Sequence, residues 1–331
     1  MSNRFTDIDI AKGLCIILVV IGHYKPDNSP DWYHTLIDVI YCFHMPLFMY
    51  ASGFIYHATK KPVTYQKFVW KKFKRLVIPY IFVSWLIICI KLLMESNMYV
   101  ENPVSLTSFY EILYIPAAGY FLWFVYVLFL IFLIIPFFGT PQKVNFLLLI
   151  SLIWLIIPVE TTTLFCIAPL KKHLFYFVFG CFISQYQNLI HQKIERINIL
   201  ILVVCFIILY LLTQIFSNSL IIFVLQCIHL CLALVGIWIT LKISHYLAVN
   251  TQNLKYIFVQ LAIYSYTIYL FHTSFEGFAK SLFIKFPITA YFPNNISFCI
   301  MVLIAVCAGI AGPIFLHLTF ERVKKCIKSF C

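Results

Sequence analysis

Lys12 and His23 are the two residues of this chain whose types and spacing point most directly to chemistry. Both stand in the apolar run DIDIAKGLCIILVVIGHY, Asp7 to Tyr24, and ionisable groups at membrane depth are costly and usually functional. Eleven helical steps at about 1.5 Å each set them roughly 16 Å apart, and eleven residues are close to three turns, so both point to much the same side. One helix face then carries a cation able to hold an anion at one level and an imidazole able to move a proton at the other. The plainer alternative for Lys12 is snorkelling to the headgroups or pairing with Asp9, three residues earlier on the same face. For His23 it is a helix-end imidazole bonded to a loop carbonyl.

The elements that position these groups follow from composition. With 63% hydrophobic, 18% aromatic and 11% charged residues and a mean hydropathy of +0.94, the backbone must satisfy itself inside the membrane, as helices or a closed barrel. Long unbroken apolar runs exclude the ten-residue alternation of a barrel. The fold class is therefore all-α, a polytopic transmembrane bundle of about ten spans. They lie near 8–24, 33–56, 76–94, 120–138, 145–158, 173–186, 197–216, 219–240, 256–276 and 296–320. The fifth and sixth are short, and Pro46 and Pro136 can kink the spans that hold them. Glu95 to Gly119 is the longest connection. No repeat or appended soluble domain is visible, so residues 1–331 read as one membrane domain, and the first run, lacking a small-residue cleavage site, reads as a span rather than a cleaved signal.

Charge sets the orientation. With a cytoplasmic N-terminus, the inner side receives Arg4, the seven basic residues from Lys60 to Arg75, Lys143, Lys193, Arg196, Lys242, Lys255 and the tail residues Arg322, Lys324, Lys325 and Lys328. The outer side receives Lys25, Lys171, Lys172, Lys280 and Lys285. Seventeen against five places both termini in the cytoplasm. Topology and anionic lipid thereby account for the net charge of +12, and no nucleic-acid partner is called for. The 12 cysteines are dispersed with no CxxC pair, so neither a disulfide framework nor a metal site is indicated.

Depth along the spans adds candidates. Running from outside to inside, the second span places Asp38 near the level of His23, His44 at mid-membrane, and Ser52 and Gly53 near the level of Lys12. A base such as His23 needs an acceptor to orient its second nitrogen. Asp38 is one candidate, and Glu276, at the outer end of the ninth span, is the other. Either also fits a solvated interfacial acid. His44 and His272, both deep, suit interhelical hydrogen bonding as well as catalysis, and Ser52 and Gly53 suit helix packing as well as a ligand's close approach. Lys72 and Arg75, at the inner start of the third span, supply cations at the level of Lys12, although a plain positive-inside loop also explains that cluster.

Asp9-Ile-Ala-Lys12-Gly13 followed by Val-Val-Ile-Gly22-His23 resembles the first helix of the acyltransferase 3 family of integral membrane acyltransferases, in which a basic residue, usually Arg, and a His are separated by ten residues. The wording is most similar to the sugar O-acetylase branch. FHMPLFMYASGF (Phe43 to Phe54), KKFKRLVIPY (Lys71 to Tyr80), LWFVYVLFLIFLIIP (Leu122 to Pro136) and SYTIYLFH (Ser265 to His272) continue the resemblance in order. It implies a multi-pass acyltransferase of the cell membrane, in a bacterium the inner membrane, moving an acetyl group from cytosolic acetyl-CoA to a carbohydrate hydroxyl on a surface polysaccharide or lipid-linked glycan, with no metal. It further implies that Lys72 and Arg75 are the family's paired basic residues, that Ser52 and Gly53 belong to its SGF block, and that Lys12 and Lys72 stand where Arg is usual, as point charges rather than bidentate clamps. Direct transfer is the expected mechanism, with an acyl-His intermediate as the variant. From a different class, the same buried Lys12, His23 and His44 suit a proton pathway in a transporter or flippase of a glycan intermediate.

Overall fold

The computed structural model describes residues 5–26, 29–95, 103–186, 197–216, 222–285 and 294–330, the last four side chains of α10 and those of 284, 285 and 294 excepted. No strand occurs among them, and the long helices are α1 (Thr6–His23), α2 (Asp31–Ala58), α3 (Tyr65–Met94), α4 (Tyr120–Phe137), α5 (Pro141–Ile156), α6 (Leu164–Gln185), α7 (Ile199–Phe216), α8 (Ile222–Asn250), α9 (Gln252–Lys285) and α10 (Asn294–Phe330). Eight of them, α2–α4 and α6–α10, are long and apolar enough to cross a membrane. α1 carries Asp7, Asp9 and Lys12 within 18 residues. α5 has 16 residues, about 24 Å of helix against a hydrocarbon core of about 30 Å. The protein is thus an all-α polytopic bundle. Arg4, Lys193 and Arg196, counted in the charge asymmetry, lie outside the described residues.

Two spans begin earlier than expected. α6 becomes regular helix at Ile167, after the left-handed Phe165 and Cys166, rather than near 173, and α3 starts at Tyr65 rather than near 76, so Lys67 to Arg75 is helical and not loop. Within α3 the helix widens into one π turn at Phe73–Val77, where the Ile78 N–H bonds the Phe73 carbonyl. Pro79 explains the site of this turn. It has no N–H to offer the Arg75 carbonyl four residues back, and a five-residue register just ahead of it relieves the gap. Pro46 in α2 and Pro313 in α10 remove a donor in the same way.

Contacts group the chain into two units, Met1–Phe48 with Leu232–Cys331, and Met49–Cys231. In the first, α9 packs on both α1 and α10. Gly13 sits directly on the Phe258 carbonyl, so α1 and α9 meet backbone to backbone there, and Gly236 leaves room for the Phe43 ring. In the second, α4 and α5 pack on α6. The C-terminal part of α2 meets α6 at a reciprocal pair of glycines: Gly53 lies against the Phe177 carbonyl and Gly180 against the Tyr50 carbonyl. A Cβ on Gly180 would also stand 2.8 Å from the Phe54 nitrogen. Because these obstacles are backbone atoms, Gly180→Ala is expected to cost about 1–3 kcal/mol, read as a lowered Tm of the purified protein; an unchanged Tm would show that the two helices can separate freely.

The described part of the connection before α4 is held down by aromatic donors. Trp85 Nε1 donates to the Phe109 carbonyl at 3.1 Å, Tyr80 to that of Ile112 at 2.8 Å, and Tyr126 to that of Leu113 at 2.8 Å. Lys171, expected as an outer loop charge, is instead buried in α6, where its ammonium donates to the carbonyls of Ile157 and Val159 at 2.7 Å each. The turn after α5 takes those two carbonyls out of the helical ladder; the Val159 N–H reaches the Ile157 carbonyl at 2.8 Å, and the lysine bonds both.

Candidate active site

α1 is one uninterrupted helix with Lys12 in its second turn and His23 as its last residue. Both side chains are partly exposed. At the Lys12 end, His245 Nδ1 of α8 meets Asp7 Oδ2 at 2.8 Å. At the other end, the His23 ring lies 5.0 Å, centroid to centroid, from that of His272 on α9, tilted by 58°.

His272 is fully buried, and its Nδ1 lies 2.9 Å from the Tyr269 carbonyl and 3.1 Å from that of Ile268. A carbonyl only accepts, so Nδ1 carries the proton and, in the neutral ring, Nε2 carries the lone pair. His44 is arranged alike: it is 3% exposed, Nδ1 donates to the Ile40 carbonyl at 2.8 Å, and its ring stacks on Tyr41 at 5.0 Å. Cys15 Sγ of α1 donates to the His44 carbonyl at 2.9 Å, tying α1 to α2 at this depth.

The two carboxylates that sequence left as equals are placed differently. Glu276 follows His272 by one turn on the same face of α9 and is 4% exposed, with Oε1 buried and lacking a hydrogen-bond partner among the described residues. Gly309 of α10 makes room for it, since a Cβ there would stand 3.0 Å from Oε1 and 2.9 Å from Val20. Asp38 is exposed. Its charge acts on Lys25, in the link between α1 and α2, where partial burial lowers the ammonium's pKa and the Asp38 carboxylate opposes that shift.

Within the second unit stand Ser52, Gly53, Lys72 and Arg75. Phe177 backbone fills the space beside Gly53, and Cys181 Sγ donates to the Gly53 carbonyl at 3.2 Å, so the missing side chain serves helix packing. Arg75 is exposed and sits in the π turn, a feature that often marks functional positions. Lys72 is half-buried, its ammonium 3.6 Å from the centroid of Phe132 and 5.4 Å from that of Phe68. Phe132 and Phe68 belong to an aromatic cluster with Tyr56 and Phe177, all at ring separations of 5.7 to 6.0 Å.

A family model described as acyltransferase domain matches residues 5–316, nearly the whole chain and every helix carrying these residues. The chain belongs to the acyltransferase 3 family. Among curated proteins, the nodulation protein NolL of Sinorhizobium fredii is 36% identical over 88 residues, 24% of each chain. NolL of Mesorhizobium japonicum is 35% identical over 95 residues, 27% of this chain and 26% of that protein. The matched stretch spans about a quarter of these relatives' length. No solved structure matches the chain.

In this acyltransferase 3 chain, two features of the site exceed the sequence reading. The approach of His272 to His23 joins helices more than 200 residues apart in sequence, for which a single chain gives no signal beyond the ordered motif blocks. Tyr41 did carry a signal, because it precedes His44 by three residues and so shares its helix face.

Proposed function

We propose that the protein is a membrane O-acyltransferase moving an acetyl group from cytosolic acetyl-CoA to a hydroxyl of a surface polysaccharide or lipid-linked glycan, with His23 as general base. What carries this reading is α1 itself within an acyltransferase 3 chain, one unbroken helix with a cation near its start and an imidazole at its end. Acyl-CoA needs that sequence of groups: phosphates at one end that call for cations, a long neutral arm, and a thioester at the tip. The roughly 16 Å along α1 suits such an arm. Residues 1–331 act in this reading as one acyltransferase domain. The carbohydrate acceptor rests on the similarity of the first-helix wording to sugar O-acetylases.

In the proposed reaction, neutral His23 accepts the hydroxyl proton while the oxygen bonds the thioester carbonyl carbon. The C–S bond then breaks, and the imidazolium returns the proton to sulfur, giving the ester and the free CoA thiol. Glu276 is the favoured orienting carboxylate because it is buried one turn from His272, which touches His23; exposed Asp38 is the alternative. Lys12, Lys72 and Arg75 are assigned to the donor's phosphates, and Ser52 to the family's SGF block.

Deleting the gene and measuring alkali-labile acetyl esters on the cell's surface and lipid-linked glycans tests the reading. Loss of a defined ester, restored by the full chain and dependent on acetyl-CoA, is the expected result. An unchanged ester pattern together with proton-driven glycan accumulation in vesicles would favour a transporter.

The orientation has its own expected result, resting on the seventeen-to-five charge asymmetry. In a variant cleared of native thiols, an impermeant maleimide added to intact cells should label cysteines introduced between Glu95 and Gly119. It should not label ones placed between Lys60 and Arg75 or after Phe320. Labelling of the tail would invert the topology and remove the cytosolic donor.

A further inference from the structure

We propose that Tyr33 and Tyr41 of α2 are positioning residues for His23, clamping the turn of α1 that presents its imidazole; the proposal rests on the reading of His23 as the base. A helix ends with carbonyls that have no partner within it, and in apolar surroundings such groups are costly unless they accept a hydrogen bond. α1 ends at His23, and the residues on either side of it are the ones α2 takes hold of. The Tyr41 hydroxyl donates to the Gly22 carbonyl at 2.7 Å. The Tyr33 hydroxyl is shared between the Tyr24 carbonyl at 2.9 Å and the Ile21 carbonyl at 3.2 Å. The carbonyls of Ile21, Gly22 and Tyr24 are thus held by two side chains of one neighbouring helix, and the held carbonyls straddle His23.

Both tyrosines are themselves fixed. Tyr33 is 1% exposed and packs edge-on against Phe298, with ring centroids 5.0 Å apart. Tyr41 stacks on the buried His44 ring, while the Lys25 ammonium stands 4.3 Å from the Tyr41 ring centroid. Gly22 completes the clamp: a Cβ there would stand 2.9 Å from Tyr41 Cε1, so the ring lies flush on the end of α1 where any side chain would hold it off. The His272 ring, locked by its own Nδ1 bonds, lies 5.0 Å from the His23 ring, so the imidazole has a second fixed neighbour besides the clamped turn that carries it. Reacting groups need placement to within about 0.5 Å, which a frayed helix end would not give.

The test compares Tyr41→Phe, Tyr33→Phe/Tyr41→Phe and His23→Ala in native membrane vesicles, with radiolabelled acetyl-CoA as donor and the membranes' own glycans as acceptor. The phenylalanines keep both rings and remove only the hydroxyls. Tyr41→Phe is expected to lower kcat about 10-fold, and the double variant about 100-fold, since misplacement of this order costs that much. KM for acetyl-CoA should stay within about twofold and the Tm of the purified variants within a few degrees, because the cation end of α1 and the packing are untouched. Wild-type kcat in the double variant, with His23→Ala inactive, would overturn the clamp alone. A kcat loss matched by a large fall in Tm would reduce the tyrosines to structural capping and also overturn it. Turnover retained by His23→Ala would remove the base, and the clamp's purpose with it.

Discussion

His23→Ala is expected to lose acyl transfer by roughly 10²- to 10⁴-fold while keeping its fold and its affinity for acetyl-CoA, the usual cost of removing a general base. The imidazole is the last side chain of α1 and keeps some exposure, so truncating it leaves the helix contacts that hold α1 in place. The packing that holds α1, Gly13 on the Phe258 backbone and Cys15 on the His44 carbonyl, lies about two to three turns away. Donor affinity should persist because the cation end of the helix is unaltered. His23→Gln should fail nearly as badly, since an amide bonds to a hydroxyl but takes up no proton at neutral pH. Ester formation by purified variants of verified Tm and acetyl-CoA binding is the measurement. Turnover at the wild-type rate would transfer the role to His44 or His272, whose Nδ1–H bonds to backbone carbonyls leave Nε2 as the basic nitrogen in each.

The second large effect is on the donor. Lys12→Ala and Arg75→Ala should each weaken acetyl-CoA binding by about 1.5–3 kcal/mol, roughly 10- to 150-fold in Kd, if each gives the phosphates one charge-assisted bond. Lys12→Arg should be tolerated, because Arg is usual at this position in the family the chain resembles from its first helix onward. Unchanged Kd and turnover in Lys12→Ala would return the lysine to snorkelling. Lys72 needs separate handling. Its ammonium lies 3.6 Å from the Phe132 ring centroid, so Lys72→Ala also removes a cation–π contact of about 0.5–2 kcal/mol and should lower Tm as well as affinity, whereas exposed Arg75 should lower affinity alone.

Sequence by itself determined the membrane class, the helical architecture and the motif pair. Burial of backbone polar groups in lipid leaves few options, and ten apolar runs with Lys12 and His23 eleven residues apart fix one helix and one face without reference to any other. The family was legible for the same reason, because its blocks are local. Tertiary structure alone decided what meets what. Asp38 and Glu276 were equal candidates by depth, and only the packing of α9 against α1 and α10 buries Glu276 beside Gly309 while Asp38 stays exposed with Lys25. Gly53 was open between ligand and packing until the Phe177 backbone was seen to fill its side. Lys171, counted as a loop charge, is buried with its ammonium on two carbonyls of the turn after α5. The tyrosines that grip the end of α1 stand 9 and 19 residues from the carbonyls of Tyr24 and Gly22. Periodicity describes the face a helix offers, whereas contact depends on which helix is laid against that face, and in an apolar bundle nearly every face is equally greasy.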